Sequence, residues 1–144
     1  RVTVPIINPR QPHNNTGGVR LSGGCNVLDD IETLTIDSLS LPRLNFLKID
    51  VEGMELNVLR GARETIERYK PMLFFECLPD DPQKDALKDL LLSVNYSHRL
   101  ITHPLFSEKN SRFNPLNGFG EQLDWNVLAS HGTMPDGYVS GPTL

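Results

Sequence analysis

Apolar residues are distributed along this chain in three patterns, and each predicts a different element. Residues 44–49 and 72–76 are nearly continuous apolar runs, as in strands of a parallel sheet covered on both faces. Lys48 interrupts the first run, and its long stem can carry the ammonium to the strand edge. Ile31-Glu32-Thr33-Leu34-Thr35-Ile36-Asp37 instead alternates at period two, which predicts a strand with one wet face. Leu59, Ala62, Ile66 and Tyr69 recur at spacings of three and four, so a helix is expected over 54–70, closed by Pro71. Ala86, Leu87, Leu90, Leu91 and Val94 repeat that spacing and predict a second helix over 82–95, opened by Asp80-Asp81-Pro82. Strands are also expected at 2–7, 96–102 and 124–129. Strands alternating with helices place the chain in the α/β class.

Polar stretches separate these elements. Residues 8–24 are rich in Pro, Asn, Gly and Ser, and Asn14-Asn15-Thr16-Gly17-Gly18 suits the tip of a surface turn. Neither Gly17-Gly18 nor Gly23-Gly24 has the G-x-G-x-x-G spacing of a nucleotide cradle. Residues 105–121 are too polar for a core and long enough for a substrate loop or lid. Residues 1–133 therefore read as one domain, with 134–144 as a loosely held tail.

Composition narrows the partners. The 144 residues are 38% apolar and 22% charged, which fits a single ordinary globular domain. A formal charge of -4, with Lys and Arg scattered rather than striped, argues against nucleic acid. No stretch approaches the ~20 apolar residues of a membrane span and no signal peptide is evident, so a cytoplasmic protein that does not engage a membrane is expected. In that compartment Cys25 and Cys77 are expected as reduced thiols, and the Asn-x-Ser/Thr triplets at Asn14 and Asn95 as chance.

Acids at strand ends are the candidate chemistry. The first apolar run stops at Asp50, turns through Glu52-Gly53 and enters a helix whose apolar stripe, continued backwards, reaches Glu55. The second run ends in Glu76. In open α/β sheets ligands bind outside the carboxyl ends of the strands, so acids repeated at that edge point to a site. Glu55 in a first helical turn either serves the cap and dipole or acts as a ligand. A divalent cation is a rival occupant of such a cluster, since hard cations take oxygen ligands. His98 and His103 lack a third ligand at zinc spacing, and no metal site is assigned.

These residues carry a resemblance. Phe46-Leu47-Lys48-Ile49-Asp50-Val51-Glu52-Gly53-Met54-Glu55, then Val58-Leu59-Arg60-Gly61-Ala62, then Pro71-Met72-Leu73-Phe74-Phe75-Glu76 resemble the FkbM family of S-adenosylmethionine-dependent methyltransferases. Asn15-Thr16-Gly17-Gly18 and Thr35-Ile36-Asp37-Ser38-Leu39 upstream, and Trp125-Asn126-Val127-Leu128-Ala129 downstream, are similar to flanking segments of that family. The resemblance implies a partial Rossmann-like methyltransferase sheet holding the fourth strand onward. The family's opening glycine turn and ribose-binding acid have no counterpart here, so the chain reads as a truncated C-terminal portion of the domain, expected by itself to bind S-adenosylmethionine poorly or not at all.

The resemblance further implies methyl transfer from S-adenosylmethionine to a hydroxyl of a small or sugar-containing acceptor. Asp50 would be the base, or would orient the acceptor and the methionine end of the cofactor. Glu52, Gly53 and Glu55 would form and hold the cofactor-binding turn, and Glu76 would line the acceptor pocket as a second catalytic carboxylate. The alternative is a non-catalytic assembly module derived from such an enzyme. In either case an open sheet edge is expected to draw copies of the chain into a homo-oligomer.

Overall fold

The computed structural model describes residues 2–5, 27–107 and 116–134, with side chains from residue 32 onward. The expected turn at 8–24, the middle of the 105–121 loop and residues 135–144 of the tail lie largely outside the described residues. Strand β1 (Val2–Pro5) pairs antiparallel with β2 (Val27–Ile31). A 3-10 turn at Asp37–Leu39 leads to β3 (Phe46–Ile49), α1 (Glu55–Arg60), α2 (Arg63–Tyr69), β4 (Met72–Glu76), α3 (Lys84–Ser93), β5 (Tyr96–Pro104) and β6 (Leu123–His131). The four later strands form one sheet in the order β3-β4-β6-β5. β3 and β4 are parallel, while β6 is antiparallel to both of its neighbours, so β5 runs with β4. The carboxyl ends of β3, β4 and β5 and the start of β6 therefore share one edge.

Strand register divides the residues between two faces. Leu47, Ile49, Leu73, Phe75, Val127, Ala129, Leu100 and Tyr96 share one face. They pack into a single core with Leu56, Leu59, Ala62 and Ile66 of the first helical segment and Leu87, Leu90, Leu91 and Val94 of the second. Leu59, Leu73, Phe75 and Val127 are completely buried, and truncating one such side chain to alanine typically costs about 2–5 kcal/mol. Phe46, Lys48, Phe74, Glu76, Asn126 and Leu128 lie on the opposite face. That corrects the expectation of cover on both sides of the apolar runs: Phe46 is 53% exposed and Met72 and Phe74 are only half-buried.

The long helix expected over 54–70 is two helices, broken at Gly61-Ala62. The cause is a tertiary contact from the segment before β3. Asp37 N–H donates to the Gly61 carbonyl at 2.9 Å. A Cβ on Gly61 would meet the Thr35 side chain at 3.2 Å, closer than an ordinary van der Waals contact, so this approach favours glycine. The α2 cap residue, Ala62, has no side-chain oxygen to offer. Asp37 replaces it, accepting from Thr65 N–H at 2.8 Å and Glu64 N–H at 3.2 Å. Burial alone would raise the Asp37 carboxyl above its ordinary 3.8, but the Thr65 hydroxyl and these two N–H groups outweigh it and hold it lower.

The same interactions overturn the strand expected at 31–37. Regular pairing ends at Ile31, and Ser38 folds back on Thr35 through both its N–H and its hydroxyl. Thr35, Ile36 and Asp37 dock against α1 and α2, whereas Leu34 is left 74% exposed. At the far end of the chain Met134 is buried, with the Ser130 hydroxyl against its sulfur at 3.5 Å.

His98 sits in the core face of β5, and neither ring nitrogen has a hydrogen-bond partner among the described residues. Burial first, and the charge of Lys88 second, hold its pKa below the ordinary 6.5. The unfolded chain takes up a proton that the folded one refuses. Stability is thus full above about pH 6.5 and declines as the pH falls from there toward the folded value. His98→Leu is expected to match or exceed the wild type in urea unfolding at pH 7.5 and to gain on it further at pH 5.5. An equal difference at both pH values would show that His98 is not the titrating group.

Candidate functional site

The segment after β3 determines where its acids point. Glu52 takes φ 51° and Gly53 φ 94°, two successive left-handed residues that reverse the chain between strand and helix. A Cβ placed on Gly53 would have nothing within 4 Å, so the need for glycine there is conformational rather than steric. Glu55, only 2% exposed, holds this turn: its Oε1 accepts from Val51 N–H and from Gly53 N–H, each at 3.3 Å. From the other side, Gln83 Nε2 donates to the Gly53 carbonyl at 2.9 Å.

Two clefts open at the carboxyl edge and share Glu52. One, about 180 Å³, is lined by Lys48, Ile49, Asp50, Glu52, Phe74, Glu76, Asp124 and Asn126. The other, about 310 Å³, lies between the turn and the loop after β4 and is lined by Glu52, Gly53, Leu78, Asp80, Asp81, Pro82 and Gln83. The first sits on the sheet face opposite the core, because Lys48, Phe74, Glu76 and Asn126 share that register.

The structure brings Asp50, Glu52 and Glu76 together in one cleft, as expected of acids at one edge. Asp50 is solvent-facing and meets Lys48 Nζ at 3.0 Å, with both side chains more than half exposed, so the pair adds little stability. Glu76 is half-buried opposite Asn126 in the β4–β6 ladder. Burial above all, and then the charges of Glu52, Glu55, Asp124 and Asp50, raise its pKa above the ordinary 4.5. Gly53 lines the second cleft. Glu55 lines neither, and its carboxylate faces the backbone of the turn. His103 is exposed and pairs in register with Asp124 at the same edge.

Asp124, Asn126 and Gln83 were not singled out by the sequence. Asn126 is 7% exposed and donates from Nδ2 to Asp124 Oδ2 at 2.8 Å. Two polar residues at period two opening a strand, Asp124 and Asn126, were the available signal. Among the described residues, no group of three or more His, Cys, Asp or Glu side chains is arranged to hold a metal ion. Cys77 is a buried free thiol, pushed up to about 11 mainly by burial, which leaves it unreactive. Among the described residues no helix is long and apolar enough to cross a membrane.

No curated protein and no solved structure matches the chain. The family model described as "Methyltransferase FkbM domain" matches residues 12–99, more than half of the chain. That span contains the β3 turn, both helical segments and β4 with Glu76, and ends before Asp124 and Asn126, which stand outside it. With its acids gathered at the carboxyl edge and this match across them, the chain belongs to the FkbM methyltransferase domain family.

Proposed function

We propose that the carboxyl edge is the acceptor side of an S-adenosylmethionine-dependent methyltransferase site that methylates a hydroxyl of a small or sugar-containing molecule. One observation carries this reading: β3 and β4 both deliver carboxylates to a single cleft, in a chain of a methyltransferase family. In the transfer, a hydroxyl oxygen of the acceptor attacks the methyl carbon in line with the sulfonium. S-adenosylmethionine would supply the methyl group, its sulfur keeping the electrons of the broken carbon–sulfur bond, and the hydroxyl proton would pass to a base on this chain. Glu76 suits the base, because a carboxyl with a raised pKa binds the departing proton more firmly than an ordinary one. Asp50, exposed, and Glu52, half-buried where the two clefts meet, suit the cationic methionine end of the cofactor, with Gly53 supplying the turn and Glu55 holding it. The free thiol of Cys77 suits a reducing cytoplasmic setting.

A second reading, a non-catalytic assembly module, is favoured by the outer edge of β3, on which no strand among the described residues pairs. β3 is hydrogen-bonded to β4 alone in the four-stranded sheet, and its Phe46 is half exposed. We propose that this edge pairs with a second copy of the chain.

Calorimetric titration with S-adenosylmethionine and S-adenosylhomocysteine tests the first reading. Micromolar binding that Asp50→Ala weakens upholds a working cofactor site at this edge, while no detectable binding leaves either an incomplete methyltransferase or the assembly module. If Glu76 is the base, Glu76→Gln lowers methyl transfer by about 10²–10⁴-fold. In the wild type, activity disappears with falling pH at a higher pH than an ordinary glutamate would impose. The same substitution is expected to raise the melting midpoint at pH 7, because it removes a charge the folded state disfavours. That gain fades as the pH drops through the raised pKa and both states become protonated. Light scattering at micromolar concentration is expected to give a dimer or larger, and a monodisperse monomer would remove the pairing proposal.

A further inference from the structure

We propose that Gln83 is a positioning residue for the Glu52-Gly53 turn, acting from outside the segment that the acids themselves occupy. The inference rests on the reading of the carboxyl edge as the cofactor-facing part of the site. Glu55 secures the N–H groups of Val51 and Gly53 from within the same turn. Both of these bonds close within the β3–α1 connection itself, so they do not tie the turn to the loop that faces it across the cleft. The Gly53 carbonyl is taken by Gln83, thirty residues further along the chain, and this bond reaches the turn from another loop.

The anchor at the other end is firm. Gln83 is the cap residue of α3: its own N–H donates to Asp81 Oδ1 at 2.7 Å and its carbonyl accepts from Leu87 N–H at 2.9 Å. α3 is fixed in turn by Leu87 and Leu91, both completely buried. The Gln83 side chain is therefore a short strut from a core-anchored helix to the Gly53–Met54 peptide, at the residue that follows Glu52 in the turn. It spans the 310 Å³ cleft and links the loops after β3 and β4, so both walls of the cleft keep one separation. Glutamine suits this task chemically: it donates to a carbonyl without adding another negative charge beside Glu52, Asp80 and Asp81.

Two variants test the strut. Gln83→Met keeps the length and removes the donor, while Gln83→Glu keeps the shape and sets a carboxylate against a carbonyl. Two readouts are needed: the hydrogen-exchange rates of the Val51 and Gly53 amides, and affinity for S-adenosylhomocysteine. The bond is solvent-exposed, so Gln83→Met is expected to shift the melting midpoint by no more than about 4 °C. It should also speed exchange at Val51 and Gly53 and weaken binding, each by about threefold to tenfold, with Gln83→Glu weakening both further. A residue that served stability alone would lower the midpoint and leave the affinity of the folded protein unchanged. Wild-type binding matched by both variants overturns the proposal and leaves the reading of the site standing. If the wild type does not bind, the cofactor reading fails and exchange decides: faster exchange in the variants upholds the strut, and unchanged exchange overturns it.

Discussion

Glu55 supplies the constraint on which the carboxyl edge depends. A buried carboxyl group needs hydrogen-bond partners, and leaving one without them costs several kcal/mol in general. Here the available partners are the N–H groups of Val51 and Gly53, which converge on one oxygen only if the chain doubles back between them. Doubling back requires left-handed backbone at Glu52 and Gly53. Glycine accepts that conformation freely, whereas for Glu52 it costs roughly 1–2 kcal/mol. The buried carboxyl and the strained turn thus stabilise one another, and the direction in which Glu52 leaves the backbone is settled by that exchange.

Much of this arrangement was legible in the sequence because it is local. Apolar runs, the acids ending them and a glycine two residues from a helix start all lie within a few positions, and period and turn chemistry read them directly. The misreadings were long-range. The stripe Leu59, Ala62, Ile66 gives no sign that the helix breaks, because the break is imposed by Thr35 and Asp37 docking on Gly61 from about 25 residues upstream. That docking also took the last three residues of the alternating segment read as a strand. Asp124 and Asn126 were read only as part of a strand for the same reason: their place beside Glu76 follows from β6 inserting antiparallel between β4 and β5, a pairing that no local pattern encodes. Gln83 is an ordinary polar residue until α3 aims it at Gly53.

Crowding of carboxylates at this edge is a cost that the fold accepts. Glu76 feels both partial burial and four neighbouring acids, and Lys48 is the one cation among the residues lining its cleft. Lys48 is engaged with Asp50 on the exposed rim, where its field is screened by water. Among those lining residues the cleft is consequently short of positive charge. A cationic sulfonium is the kind of ligand that would relieve the repulsion, which joins the destabilising feature of the edge to its proposed role.

One register governs both the core and the site. Along β4, Leu73 and Phe75 turn toward the helices, while Phe74 and Glu76 turn toward the open face that holds the cleft. Because side chains alternate with period two, a slip of one residue would move Glu76 into the apolar layer and expose Phe75. Such a slip would strand a carboxyl group in the core and forfeit the burial of a large aromatic side chain, so the pressure to bury Phe75 also fixes the face that Glu76 occupies. The position of the acid is therefore enforced by hydrophobic packing rather than by any contact the acid makes. That explains how a group whose own surroundings disfavour its charge is still held at the edge.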